Sequence, residues 1–117
     1  MPLIDSKTAL ERFDGDIEIY IDLIDTFLDM GTIDFETVKT ELMEGKYPEA
    51  AHRIHQLKGA ALTLGADQLA HSSALLEGML RNNTVADALP MLEEIRVCYF
   101  DSVGELASIQ AALKKQI

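Results

Sequence analysis

Residues 50–65 read Ala50-Ala51-His52-Arg53-Ile54-His55-Gln56-Leu57-Lys58-Gly59-Ala60-Ala61-Leu62-Thr63-Leu64-Gly65. The period of this stretch is helical. Stepping roughly 100° per residue from His55 puts Gly59 near +40°, Lys58 near −60°, His52 near +60°, Ala51 near −40° and Leu62 near −20°. Ala50, Leu57, Ala61 and Leu64 gather on the opposite face. The apolar stripe therefore points away from His55, and the imidazole is expected to face solvent. A cation stands one turn from it, and little side-chain bulk surrounds it.

The rest of the chain is punctuated for helices and carries almost no strand signal. Asp5 or Ser6 suits the cap of a short first helix running to about Phe13. Asp14-Gly15-Asp16 reads as a turn, with Asp16 capping a second helix whose apolar face is Ile17, Tyr20, Ile21, Leu23, Ile24, Phe27 and Leu28. Gly31 ends that helix, and Thr32 is expected to cap a third that shows Phe35, Val38, Leu42 and Met43 and stops at Gly45. Pro48 fits the first turn of the fourth helix, where its missing N–H costs nothing, and Gly65 fits a left-handed terminus.

Asp67 is expected to cap a fifth helix with Leu69, Leu75, Leu76, Met79 and Leu80 on its apolar face. Asn82-Asn83 turns the chain. Thr84 then opens the last helical segment, with Asp87 completing a capping box and Pro90 deep enough to kink or restart it. Leu92, Ile95, Tyr99, Val103, Leu106, Ile109 and Leu113 carry the final stripe. Short connections favour antiparallel neighbours. The expected fold is all-α: one domain over residues 1–117, an up-down-up-down four-helix bundle with the short first helix covering one end.

Composition narrows the function. The chain has 117 residues, 48% of them apolar, with a net charge of −10, enough for one real core. That charge argues against nucleic acid, whose phosphates call for Lys and Arg, and against an anionic membrane surface. The acid is concentrated in residues 1–49, which hold 13 acids and 4 bases, whereas residues 50–117 are nearly neutral with 7 and 6. The single cysteine, Cys98, sits in an apolar-rich segment and reads as an inert, buried thiol. No apolar run has the length of a membrane span, and no basic-then-apolar leader opens the chain, so a cytoplasmic location is expected.

Imidazole near pH 7 is a good nucleophile because its unperturbed pKa is about 6.5. An exposed ring nitrogen can attack a phosphoryl group held by another protein, giving a phosphoramidate that can pass the group on. Lys58 can neutralise charge on the phosphoryl oxygens. Gly59 leaves room for a partner's active site, a physical reason for a mid-helix glycine that otherwise costs about 1 kcal/mol relative to alanine.

The pattern His55-x-x-Lys58-Gly59, the small Ala60-Ala61 and the later Leu64-Gly65 resemble the histidine-containing phosphotransfer (HPt) domain of two-component phosphorelays. The similarity extends to Phe13-Asp14-Gly15-Asp16 with its following apolar-acidic helix, and to Leu75-Leu76-Glu77. The resemblance implies a phosphoryl carrier rather than a kinase. The implied acceptor is His55, which is expected to take the group from a receiver-domain aspartate through Nε2 and to give it to another. The implied partners are receiver domains of response regulators and hybrid sensor kinases. No cofactor of its own is expected, the Mg2+ being expected in the receiver-domain partner. Ala51, His52 and Leu62 are expected on the partner surface, with Phe13 and Ile17 added on the strength of the resemblance. Arg53 departs from the family, where many members carry a small apolar residue, and is expected to lie partly toward the core with its charge snorkelling outward.

Several readings stay open on the residues alone. Glu77 can bond an imidazole nitrogen, as an acidic or amide residue does in some relatives, or be a solvated acid near Arg81. Leu62 can be an apolar docking contact or fold onto the next helix. His52 and His55 share metal-ligand spacing but lack a third ligand, so no metal site is expected. His71 reads as a surface residue. A plain helical adaptor is the main alternative to a phosphoryl carrier, and a metal-dependent hydrolase lacks its ligand cluster. The chain starts a helix close to Met1 and ends at Lys114-Lys115-Gln116-Ile117, so a stand-alone shuttle is expected. The net charge and the absence of a sustained heptad seam suggest a monomer.

Overall fold

Short polar residues stop the apolar stripes, and their side chains close the helix ends. The Asp5 carboxylate accepts from the Thr8 N–H at 3.1 Å, Asp16 from Ile19 at 3.2 Å, and Asp34 from Glu36 and Thr37 at 3.1 and 3.3 Å. The computed structural model describes residues 2–29 and 33–117. Its helices are α1 (Ser6–Arg12), α2 (Ile17–Asp29), α3 (Phe35–Met43), α4 (Tyr47–Leu64), α5 (Asp67–Arg81) and α6 (Ala88–Lys114), and no strand occurs among the described residues.

Four of these form a closed ring in which α2 packs on α4, α4 on α5, α5 on α6, and α6 back on α2. Neighbours run antiparallel. Glu77 of α5 meets His55 and Lys58 of α4, and Gln110 of α6 donates to the Ile21 carbonyl at 3.1 Å and the Asp25 carboxylate at 2.6 Å on α2. The helix α1 lies against α2 and α4, and α3 against α4 and α6. Tyr20, Ile24, Ile54, Leu57, Leu69, Leu76, Ile95 and Leu106 are fully buried at the centre. The all-α bundle with a covering first helix is as expected from the periodicity.

Some local expectations fail for local reasons. Gly31 and Thr32 lie outside the described residues, and the cap of α3 is Asp34. Asp67 is the first residue of α5 and not its cap. After left-handed Gly65, Ala66 bonds back to the Ala61 carbonyl at 2.9 Å and takes the cap position itself. No capping box joins Thr84 to Asp87, because the Thr84 hydroxyl and N–H are both spent on the Met79 carbonyl at the end of α5. The helix α6 therefore starts at Ala88. Pro90 falls in its first turn, and α6 continues unbroken for 27 residues. Met43 and Leu75 leave their apolar stripes and are 70% and 48% exposed. Arg53 does not enter the core, because buried Glu41 holds its guanidinium at 2.8 Å at the surface. Cys98 is half-buried, and burial pushes its thiol pKa up.

The C-terminal end of α4 is clamped from the N-terminal segment. Arg12 donates to the Leu62 carbonyl at 2.7 Å, Tyr20 to that of Leu64 at 2.6 Å, and the Asp5 N–H to that of Gly65 at 2.7 Å. These bonds occupy carbonyls that a helix end leaves without intrahelical partners. Burial and the nearby Asp5 charge raise the Tyr20 hydroxyl to about 12, which keeps it a donor. Gly65 is required twice over. Its φ is +82°, and a Cβ there would collide with the Asp5 carbonyl oxygen. Gly65→Ala is expected to lower stability by about 1–3 kcal/mol, read as an earlier urea midpoint with an unchanged slope. An unshifted midpoint would show that the clamp is dispensable.

Candidate functional site

Ala50, Ala51, Ile54, Leu57, Ala61 and Leu64 are the buried residues of α4. This arc is centred about 120° from His55 rather than opposite it. His55 thus sits at the margin of the exposed face, with a 55% exposed side chain that can still reach the neighbouring helix. There it meets Glu77 on α5. His55 Nδ1 lies 3.0 Å from Glu77 Oε2 and 3.2 Å from Oε1. Lys58 donates to Oε1 at 2.9 Å, and Arg81 donates to Oε2 at 2.9 Å.

Glu77 is the hub of this cluster, its side chain only 11% exposed. Burial by itself would raise its pKa. The hydrogen bonds from Lys58, Arg81 and His55 outweigh that and hold the carboxyl at about 2, against an ordinary 4.5. An ionised carboxylate can only accept. The imidazole must then place its proton on Nδ1, which leaves the Nε2 lone pair pointing away from Glu77. No protein group bonds Nε2 among the described residues. The ring is thus held and oriented through Nδ1 and open at Nε2.

The linkage sign follows from the lowered pKa. Glu77 contributes full stability above pH 4.5 and loses it as the pH falls toward 2. Glu77→Gln is expected to cost about 1–2 kcal/mol at pH 7, after discounting for the half-exposed Arg81 and His55. It should also flatten the stability curve between pH 5 and 2.5 in urea titrations. A variant that loses stability in parallel with the parent over that range would show that Glu77 does not carry the linkage.

The remaining expected residues fall in different places. Gly59 is exposed, and a Cβ added there would meet nothing within 4 Å. His52 is exposed one turn before His55, and Leu62 is 44% exposed, so Leu62 does not fold onto the next helix. Ala51 is 1% exposed and cannot touch a partner, because the buried arc of α4 reaches round to its position. Phe13 and Ile17 are half-buried at the α1–α2 corner, with the Phe13 ring 6.5 Å from Tyr20. His71 is exposed on α5.

Two contributors escaped the sequence. Arg81 appeared only as a neighbour of Glu77, though its i, i+4 spacing was the available signal. Arg12 grips α4 from 50 residues away, and no local pattern announces such a bond. Among the described residues, no group of three or more His, Cys, Asp or Glu could hold a metal ion, and no helix is long and apolar enough to cross a membrane.

The sequence model of one family, described as Hpt domain, matches residues 22–115. The chain belongs to the Hpt family. The match begins within α2, runs through α6 and includes His55, Lys58, Gly59 and Glu77, whereas Phe13 and Ile17 precede it. Hpt domains serve histidine phosphotransfer in phosphorelays, where they interact with receiver domains and act as phosphocarriers rather than kinases. No curated protein and no solved structure matched the chain.

Proposed function

We propose that this Hpt domain relays a phosphoryl group between receiver-domain aspartates through Nε2 of His55. The observation that carries the reading is the Nδ1–Glu77 contact of 3.0 Å on a ring whose side chain is 55% exposed. In the forward step the Nε2 lone pair forms a bond to phosphorus as the acyl phosphate P–O bond breaks, and the aspartate leaves as a carboxylate. The ring keeps its Nδ1 proton. The positive charge that develops on it faces the ionised Glu77, so the hydrogen bond strengthens as the reaction proceeds. In the onward step a second receiver's aspartate attacks phosphorus, and Nε2 departs with its electron pair. The Mg2+ used in both steps belongs to the receiver, and the carrier works in the cytoplasm.

Lys58 has three N–H donors and spends one on Glu77. The others bond no group among the described residues and can meet phosphoryl oxygens. The exposed surface around His55, with His52, Gly59 and Leu62, is open to a receiver's active-site edge. Phe13 and Ile17 can extend that surface only by their exposed edges.

The test is incubation with a phosphorylated receiver domain, followed by nitrogen and phosphorus NMR of the product. The expected result is one phosphorylated histidine, His55, bonded through Nε2. A label on Nδ1, or on His52 or His71, would overturn the assignment. Lys58→Ala is expected to slow transfer about 10–100-fold, the equivalent of roughly 1.4–2.7 kcal/mol, without changing the modified atom. Unchanged transfer kinetics would remove the ammonium from the mechanism.

A further inference from the structure

The carboxylate of Glu77 has two cations, which reach different oxygens from different helices. Lys58 of α4 donates to Oε1, and Arg81 at the end of α5 donates from Nε to Oε2, both at 2.9 Å. Either bond is charge-assisted, and either gives the carboxylate a counter-ion. The two differ in what ties them to it. Arg81 follows Glu77 by four residues on the same helix, so its bond is made within one turn of α5. Its guanidinium is a planar, pre-organised fork. Lys58 bonds across the packing of α4 on α5, through a flexible stem that ends in a point charge. It also follows His55 by three residues, which puts it on the same stripe of α4 as the ring. A phosphoryl group on Nε2 therefore competes with Glu77 for the Lys58 ammonium, while the bond within α5 stays intact.

We infer that Arg81 is a positioning residue, which holds Glu77 against His55 Nδ1 while Lys58 turns to the phosphoryl group. The inference rests on the relay through His55. The Glu77 side chain is only 11% exposed, so burial penalises its charge and one cation has to remain beside it. With Arg81 in place, the carboxylate keeps facing the positive charge that Nε2–P bond formation puts on the ring. Without Arg81, Glu77 and the phosphoryl group share a single ammonium. Arg81 acts through Glu77 alone, and no proton or electron pair passes through it. Its contribution thus belongs to the phosphorylated state. In the unmodified chain Lys58 suffices to seat the carboxylate, and the second cation becomes necessary only when the first is drawn off.

The test equilibrates the full chain and its Arg81→Gln variant with a phosphorylated receiver domain and measures how label divides between the receiver and His55. Arg81→Gln is expected to shift that division toward the receiver about tenfold, the scale of one hydrogen bond to a charged group. Nitrogen-15 NMR of the unphosphorylated variant should still find the His55 proton on Nδ1. In the phosphorylated variant that proton should exchange with water faster than in the parent. Arg81→Lys, which restores a cation four residues on, should recover most of both effects. Lys58→Ala combined with Arg81→Gln should disturb the tautomer of the unphosphorylated chain, which neither change does alone. An equal division of label in the parent and in Arg81→Gln would overturn the proposal and leave the relay standing. A parent that takes no label at His55 would overturn the relay, and the proposal with it. A shifted division with parental exchange of the Nδ1 proton would assign Arg81 to the phosphoryl group and refute the positioning role. Loss of the Nδ1 tautomer in unphosphorylated Arg81→Gln would refute it too, because Lys58 would then not suffice at rest.

Discussion

The His55→Gln variant is expected to fold normally and to show no phosphotransfer in either direction. His55 is exposed and makes no contact the core depends on, and glutamine can still donate toward Glu77 from the same position. Far-ultraviolet circular dichroism and the urea midpoint should therefore stay within about 0.5 kcal/mol of the parent, as for a surface substitution. What disappears is the nucleophile, since an amide nitrogen has no available lone pair. The measurement is transfer of labelled phosphoryl from a receiver, with the quantity bound per chain as the readout. Residual acid-labile label at more than a few per cent of the parent would place the acceptor elsewhere.

The second large effect is expected at Gly59. The site for its Cβ is empty of protein atoms, so substitution does not disturb the bundle. Gly59→Ala should stabilise the domain by about 0.5–1 kcal/mol through helix propensity. Gly59→Gln should also fold, but its side chain occupies the space beside His55 through which the proposed relay brings the receiver's aspartate. In-line transfer depends on sub-ångström positioning, so a rate loss of more than about 100-fold is expected. The combination of a fold as stable as the parent's with transfer abolished separates a docking role from a structural one. A Gly59→Gln variant with the parent's transfer rate would show that close approach is not required at this position.

Much of the molecule was legible locally. Asp5, Asp16, Gly45, Pro48 and Gly65 mark helix ends in the sequence and mark them in the structure, because a cap or a left-handed residue acts within one turn. The exposure of His55 followed from its place outside the apolar stripe. Errors arose where two local options compete. Thr84 can cap the next helix or bond back to the last one, and it does the latter. Leu75 and Met43 continue a stripe by spacing, yet no neighbouring helix reaches far enough round to cover them.

Local pattern was enough to establish that the chain is helical, where most helices stop, and that an imidazole, an ammonium and a glycine share an open face. Those properties depend on residues within four or five positions of one another. The packing of separate helices set how far round α4 is covered, burying Ala51 and leaving His55 at the rim. It alone chose the carboxylate that orients the ring, since Glu77 is 22 residues away and reaches His55 only because α5 packs antiparallel on α4. It also joined Asp5, Arg12 and Tyr20 to the end of the helix that carries the site. Side chains from separate helices meet through the packing of whole faces, and no spacing along one helix encodes which face its neighbours will occupy.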